Sequence, residues 1–116
     1  MLIRIDPESA TSLFEQVAAS VRADIVAGRL VAGDRLPAAK EIAAALEINV
    51  HTVLRAYQQL RDEGLVDLRR GRGAVVTGAA VPLADLHADI TDLVRRAAEL
   101  GLSPAALAAL VKETAS

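Results

Sequence analysis

Residues 36 to 77 read LPAAKEIAAALEINVHTVLRAYQQLRDEGLVDLRRGRGAVVT, and the spacing of their apolar residues predicts two helices and then a hairpin. Leu36-Pro37 opens the first helix, with proline near its first position, and Ile42, Ala43 and Leu46 point inward. After only Glu47-Ile48-Asn49 the next helix begins. Asn49 is a good N-cap, Val53, Ala56, Tyr57 and Leu60 form a buried stripe, and Gly64 sits where a C′ glycine belongs. Two helices on so short a link imply a helix-turn-helix. Leu65 to Arg69 and Ala74 to Thr77 are two extended runs joined by Arg70-Gly71-Arg72-Gly73, whose glycines suit a tight hairpin.

Working outward, Leu2-Ile3-Arg4-Ile5 reads as a short extended piece ended by Asp6-Pro7. Ser12 with Glu15 is a capping-box pattern, and Phe14, Val17, Ala18, Val21 and Ile25 follow at helical spacing until Gly28, so a helix is expected over about residues 12 to 27. Three helices followed by a hairpin make residues 1–77 a winged helix-turn-helix. Gly78 to Pro82 is a small-residue connector. From there Leu83, Leu86, Ile90, Leu93, Ala97 and Leu100 recur at spacings of three and four, an a/d seam that needs a partner. Gly101-Leu102 reads as a helix stop, and Ser103-Pro104 restarts a final helix carrying Leu107, Leu110 and Val111. The expected fold is mostly α with a small β-hairpin wing, a winged helix-turn-helix followed over 83–116 by a helical hairpin that serves as a two-helix dimerisation module.

The chain has 116 residues, too few for two large domains, and 53% of them are hydrophobic, enough to fold on. There is no cysteine, which excludes disulfides, thiolate metal sites and cysteine nucleophiles and fits a reducing cytosol. No secretory leader or membrane span is expected, so the cytoplasm is the expected compartment. The net charge of −2 argues weakly against nucleic acid, but its distribution matters more. Residues 1 to 77 hold ten Lys/Arg and ten Asp/Glu, and the acidic excess lies entirely downstream.

The helix after Asn49 turns Val50, His51, Leu54, Arg55 and Gln58 away from its stripe, a face suited to a major groove. Arg pairs with guanine edges, Gln with adenine, His with a base or phosphate, and Val or Leu with a thymine methyl. An ordinary solvated helix face is the plain alternative, but exposed aliphatics fit it poorly. Arg69, Arg70 and Arg72 crowd the hairpin tip, which points to phosphate or minor-groove contact rather than to a turn that only keeps a sheet edge soluble. His51 and His87 lie on different elements, Asp85, His87 and Asp89 do not converge on a helix, and no serine has a His/Asp partnership. No active site, metal site or cofactor is expected.

The runs Leu13-Phe14-Glu15-Gln16-Val17, Ile25-Val26-Ala27-Gly28-Arg29-Leu30, Gly33-Asp34-Arg35-Leu36-Pro37, Asn49-Val50-His51-Thr52-Val53, Ala56-Tyr57-Gln58-Gln59-Leu60, Glu63-Gly64-Leu65 and Arg69 to Gly73 together resemble the GntR family of bacterial transcription regulators over about residues 10 to 77. The tail, with Leu100-Gly101-Leu102-Ser103 between two helices, is similar to the YtrA-like branch, whose C-terminal part is a small dimerisation module. The resemblance implies DNA contacts from Lys40, from Asn49, His51 and Thr52, from Arg55, and from Arg70, Gly71 and Arg72 of the wing. Two positions depart from the family pattern: Ala38 stands where Ser is usual, and Lys40 replaces an Arg fork by a point charge. Val50 and Leu54 also stand where many members carry Arg.

The function expected is therefore a homodimeric repressor of duplex DNA that occludes a promoter at an inverted repeat. A winged-helix adaptor that binds protein is the alternative. A third reading, the front end of an aminotransferase-like fusion, lacks a pyridoxal phosphate lysine in these residues. A large enclosed ligand pocket of ~300 Å³ or more per protomer is not expected, and a small-molecule effector is left open only at the dimer interface.

Overall fold

The computed structural model describes residues 3–116, and the chain divides between Ala84 and Asp85 into two compact units. The first holds α1 (Leu13–Val26), α2 (Ala39–Leu46), α3 (Val50–Asp62), β1 (Val66–Arg69) and β2 (Gly73–Val76). Helix α4 (Ala80–Glu99) begins in it and continues into the second unit, where α5 (Pro104–Ala115) follows.

Helix α3 organises the first unit. Val53, Ala56, Tyr57 and Leu60 are buried along one stripe, as their spacing predicts, and meet Val17, Ala18, Val21 and Ile25 of α1. Asn49 caps α3 by accepting the His51 N–H through its side chain at 2.8 Å. Gly64 closes the helix at φ 81°, with the Gly64 N–H donating to the Arg61 carbonyl and the Leu65 N–H to that of Leu60. The wing is an antiparallel pair with Val66 opposite Val76 and Arg69 opposite Gly73, which leaves Arg70, Gly71 and Arg72 as the tip. Gly71 and Gly73 both take positive φ there, where side chains are strained.

Several local expectations are corrected. Ser12 occupies the N-cap of α1 but its side chain makes no capping bond. Gln16 instead fastens the start of the helix: its amide donates to the Asp6 and Thr11 carbonyls at 3.0 and 2.8 Å, and its Oε1 accepts the Asp6 N–H. Of the expected extended piece, Leu2 lies outside the described residues, and Ile3 is buried in the core. Helix α2 begins at Ala39, not at Leu36-Pro37. Those residues are held by the rest of the unit: Arg35 bridges to Val75, the Leu36 N–H donates to the Ala74 carbonyl at 2.9 Å, and the Pro37 carbonyl accepts the Tyr57 hydroxyl at 2.6 Å.

The turn between α2 and α3 runs through Glu47, a non-glycine residue at φ 56°. A left-handed conformation costs an L-residue about 1–2 kcal/mol, whereas glycine adopts it freely at the cost of a more entropic unfolded chain. Glu47→Gly is therefore expected to stabilise the protein modestly, by at most about 1 kcal/mol, raising the melting temperature by a few degrees. A lower melting temperature would contradict the strain.

The hydroxyl bond from Tyr57 to Pro37 ties α3 to the segment before α2. Burial, with a smaller contribution from the Glu41 charge, pushes the Tyr57 phenol from 10.0 up to about 12. Because the folded value lies above the unfolded one, its contribution to stability is complete below pH 10 and is lost as the pH rises toward 12. Denaturant melts should show roughly 2–3 kcal/mol of alkaline loss over that window. Tyr57→Phe should lack this loss while costing about 1 kcal/mol at neutral pH.

The connector expected over 78–82 is shorter, because α4 starts at Ala80 with Pro82 in its first turn, where a missing N–H does no harm. Ala80 is buried and Leu83 half-buried, both against the core of the first unit, so that core does not end at residue 77. In the second unit Gly101 stops α4 at φ 81°, the Leu102 N–H donates to the Ala97 carbonyl at 2.9 Å, and the Ser103 hydroxyl accepts the Ala106 N–H. The two helices expected as a hairpin are present but bury little within the unit. No described residue of α5 is buried, and Ala97 alone is buried among the described residues of this unit.

Candidate nucleic-acid interface

The cations of the first unit fall into two groups. Arg22 reaches Glu63 with two bonds, Nε to Oε1 at 2.6 Å and Nη2 to Oε2 at 2.8 Å. This pairing holds the Glu63 carboxyl below its usual range and the Arg22 guanidinium above its own. Arg29 donates to buried Asp24 at 2.7 Å and pins the turn after α1, and Arg61 and Arg69 lie 3.3 Å from Asp62 and Asp67. Among the described residues of this unit, Arg4, Arg35, Lys40, Arg55, Arg70 and Arg72 have no acidic partner, and all six are exposed. Of the cations the sequence singles out, Lys40, Arg55, Arg70 and Arg72 are uncompensated, whereas Arg69 is paired with Asp67, and uncompensated charges attract a polyanion.

Two open hollows border these residues. One, of about 520 Å³, runs between α3 and the wing, with Leu54 and Gln58 on one side and Arg70, Gly71 and Arg72 on the other. Leu36, Pro37 and Leu68 give it an apolar floor. Arg35, which the sequence reading passed over, lines it too, and its Nε donates to the Arg72 carbonyl at 3.1 Å, bracing the wing tip from the segment before α2. The signal for Arg35 was tertiary: its backbone forms the bridge to Val75.

The second hollow, of about 440 Å³, lies where the starts of α1 and α3 meet, and Ser12, Phe14, Asn49, His51, Thr52 and Arg55 line it. The Asn49 side-chain Oδ1 already accepts the His51 N–H in the helix cap, and its amide N–H groups are left free to donate to a ligand. Thr52 is half-buried, and its N–H bonds back to the Asn49 carbonyl. Val50, read as an exposed aliphatic, packs partly against the core, so Leu54 is the aliphatic that stays exposed on this helix.

Seam residues separate by environment. Leu83 packs on the first unit and Ala97 is buried, whereas Leu86, Ile90 and Leu93 are about half exposed, at 53, 47 and 43%. Leu100 and Leu110 are exposed as well, and Leu107 is half-buried. Val94 and Val111 widen this uncovered apolar surface. Among the described residues no group of three or more His, Cys, Asp or Glu could hold a metal, and no helix is long and apolar enough to cross a membrane.

Residues 13–76 match the family model described as bacterial regulatory proteins, gntR family. The chain is 36% identical over 76 residues to the HTH-type transcriptional repressor YtrA of Bacillus subtilis, covering 66% of this chain and 58% of that one, so it spans little more than half of that relative's length. Among solved structures, YtrA from Sulfolobus acidocaldarius, a GntR-family transcription factor, is 32% identical with a TM-score of 0.65, covering 85% of this chain and 99% of that one. A GntR family transcriptional regulator from Listeria monocytogenes is 27% identical with a TM-score of 0.66, covering 94% of this chain and 98% of that one.

Proposed function

Because the chain belongs to the gntR family of bacterial regulatory proteins, we propose that it is a DNA-binding transcriptional repressor acting as a homodimer in the cytoplasm on an inverted-repeat operator. The observation that carries this reading is the clustering of free cations: Lys40 of α2, Arg55 of α3 and Arg70 and Arg72 of the wing tip are exposed without an acidic partner, whereas Arg22, Arg29, Arg61 and Arg69 are each paired with a carboxylate. In the proposed complex α3 enters the major groove. His51, Arg55 and Gln58 meet base edges there, while Leu54 offers a surface for a thymine methyl. Lys40, the amide of Asn49, Thr52 and the wing residues Arg70, Gly71 and Arg72 hold phosphates on either side.

The dimer contact is proposed to lie in the second unit, where Leu86, Ile90, Leu93, Leu100 and Leu110 leave an apolar surface that α5 does not cover. Leu83 and Ala97 take structural roles within the protomer, and Leu107 supports the exposed set from a half-buried position. Repression follows from occupancy of a promoter by two linked winged helices.

Titration of the full chain with a labelled duplex of mixed sequence tests the DNA-binding part. Log affinity is expected to fall linearly with log salt, because each neutralised phosphate releases counterion. Absence of salt-dependent duplex binding would overturn the reading in favour of a protein-binding adaptor.

A further inference from the structure

The Arg55 guanidinium carbon lies over the Phe14 ring, 3.9 Å from its centroid. Phe14 is the second residue of α1 and is half-buried against the core, so it is a fixed support, while Arg55 is an exposed side chain of α3. Among the described residues the Arg55 side chain makes no hydrogen bond or ion pair, in contrast to those of Arg22 and Arg29, whose donors are engaged by carboxylates. A cation held against an aromatic ring is localised without giving its N–H donors to a protein acceptor. Arg otherwise samples many rotamers, and fixing them on binding lowers affinity.

We propose that Phe14 is a positioning residue for DNA recognition: its ring is the shelf that holds Arg55 in one orientation with its donors free for a base edge. The inference rests on the reading of Arg55 as a base-contacting residue. The hollow beside the pair, lined by Ser12, His51 and Thr52, gives such an edge room to approach. Helix α1 thereby influences which base is read, although it lies outside the helix-turn-helix.

The test uses the full chain, a duplex recovered by selection from random sequence, and copies of that duplex with each base pair changed in turn. Arg55→Ala should abolish discrimination at one base pair of each half-site. Phe14→Leu, which keeps an apolar residue of similar size, should weaken discrimination at that same pair roughly three- to tenfold while leaving affinity for unrelated duplex and the salt slope unchanged. Phe14→Tyr should restore it. In the Arg55→Ala background Phe14→Leu should have no further effect. In the DNA-free protein, NMR should show the Arg55 side-chain protons shifted by the ring current, and Phe14→Leu should remove that shift.

If Arg55→Ala leaves every base preference intact, the base-reading role fails and the shelf has nothing to position. If Arg55→Ala acts as expected but Phe14→Leu leaves discrimination at that pair within twofold of the unmodified chain, the shelf alone is overturned. Equal losses from Phe14→Leu with and without Arg55 would likewise overturn it, by making Phe14 a packing residue.

Discussion

Ile90→Asp combined with Leu93→Asp is expected to dissociate the proposed dimer while the first unit stays folded. Both residues are about half exposed on α4 in the second unit. In the protomer the new charges remain solvated. In an apolar interface each would be desolvated without a partner, at a cost of several kcal/mol. Sedimentation at micromolar concentration should report a dimer for the unmodified chain and a monomer for the variant, with unchanged helical circular dichroism from the winged helix. DNA affinity should fall by about two to four orders of magnitude, because two linked half-site contacts act at high effective concentration and separated ones do not. A variant that remains dimeric would move the contact elsewhere. Truncation offers a second form of the same test, and the structure decides where to cut. Ala80 and Leu83 belong to the core of the first unit, so a chain ending at Ala84 should fold as a monomer, whereas one ending at Gly78 would lose part of its core.

Substitutions on the DNA-facing surface should separate into two kinds. Arg70→Ala and Arg72→Ala are each expected to weaken binding to cognate and unrelated duplex alike and to reduce the log-log salt slope by about 1, as one phosphate contact disappears. Both side chains are exposed and neither pairs with an acid, so their loss leaves no buried charge behind and should not lower the melting temperature appreciably. Arg55→Ala and His51→Ala should instead cost about 1–3 kcal/mol mainly on the cognate site, because base contacts specify and phosphate contacts position. Slopes unchanged in both wing variants would remove the wing from the interface. Equal losses of the helix variants on cognate and random duplex would reduce α3 to a backbone-binding element.

Local periodicity made the first unit legible. The stripe Val53, Ala56, Tyr57 and Leu60, the cap at Asn49, the stop at Gly64 and the glycine-flanked wing tip all follow from spacing and turn chemistry, and each stands where expected. What escaped the sequence reading depends on partners distant in the chain. Helix α2 starts late because Leu36 and Pro37 are engaged by Ala74 and Tyr57, and Ser12 yields its capping role to a Gln16 network that spans ten residues. Glu47 adopts a left-handed conformation that no composition rule assigns to glutamate; the tight turn between two packed helices imposes it. At the site, Arg35 and Phe14 were invisible for the same reason. One is placed by a bridge to β2 and the other by a contact between α1 and α3. The heptad seam was read as one surface, yet its first residue, Leu83, is claimed by the winged helix and its Ala97 by the second unit's own packing. Periodicity identifies an apolar stripe but not which neighbour covers each part of it.

Selection of duplexes from a random pool by the full chain tests the central claim most directly. A homodimer that places one α3 in each of two major grooves should recover a two-fold-symmetric site, its half-sites separated by about one helical turn of DNA or a multiple of it. An enriched site without symmetry, or no enrichment over the starting pool, would contradict it.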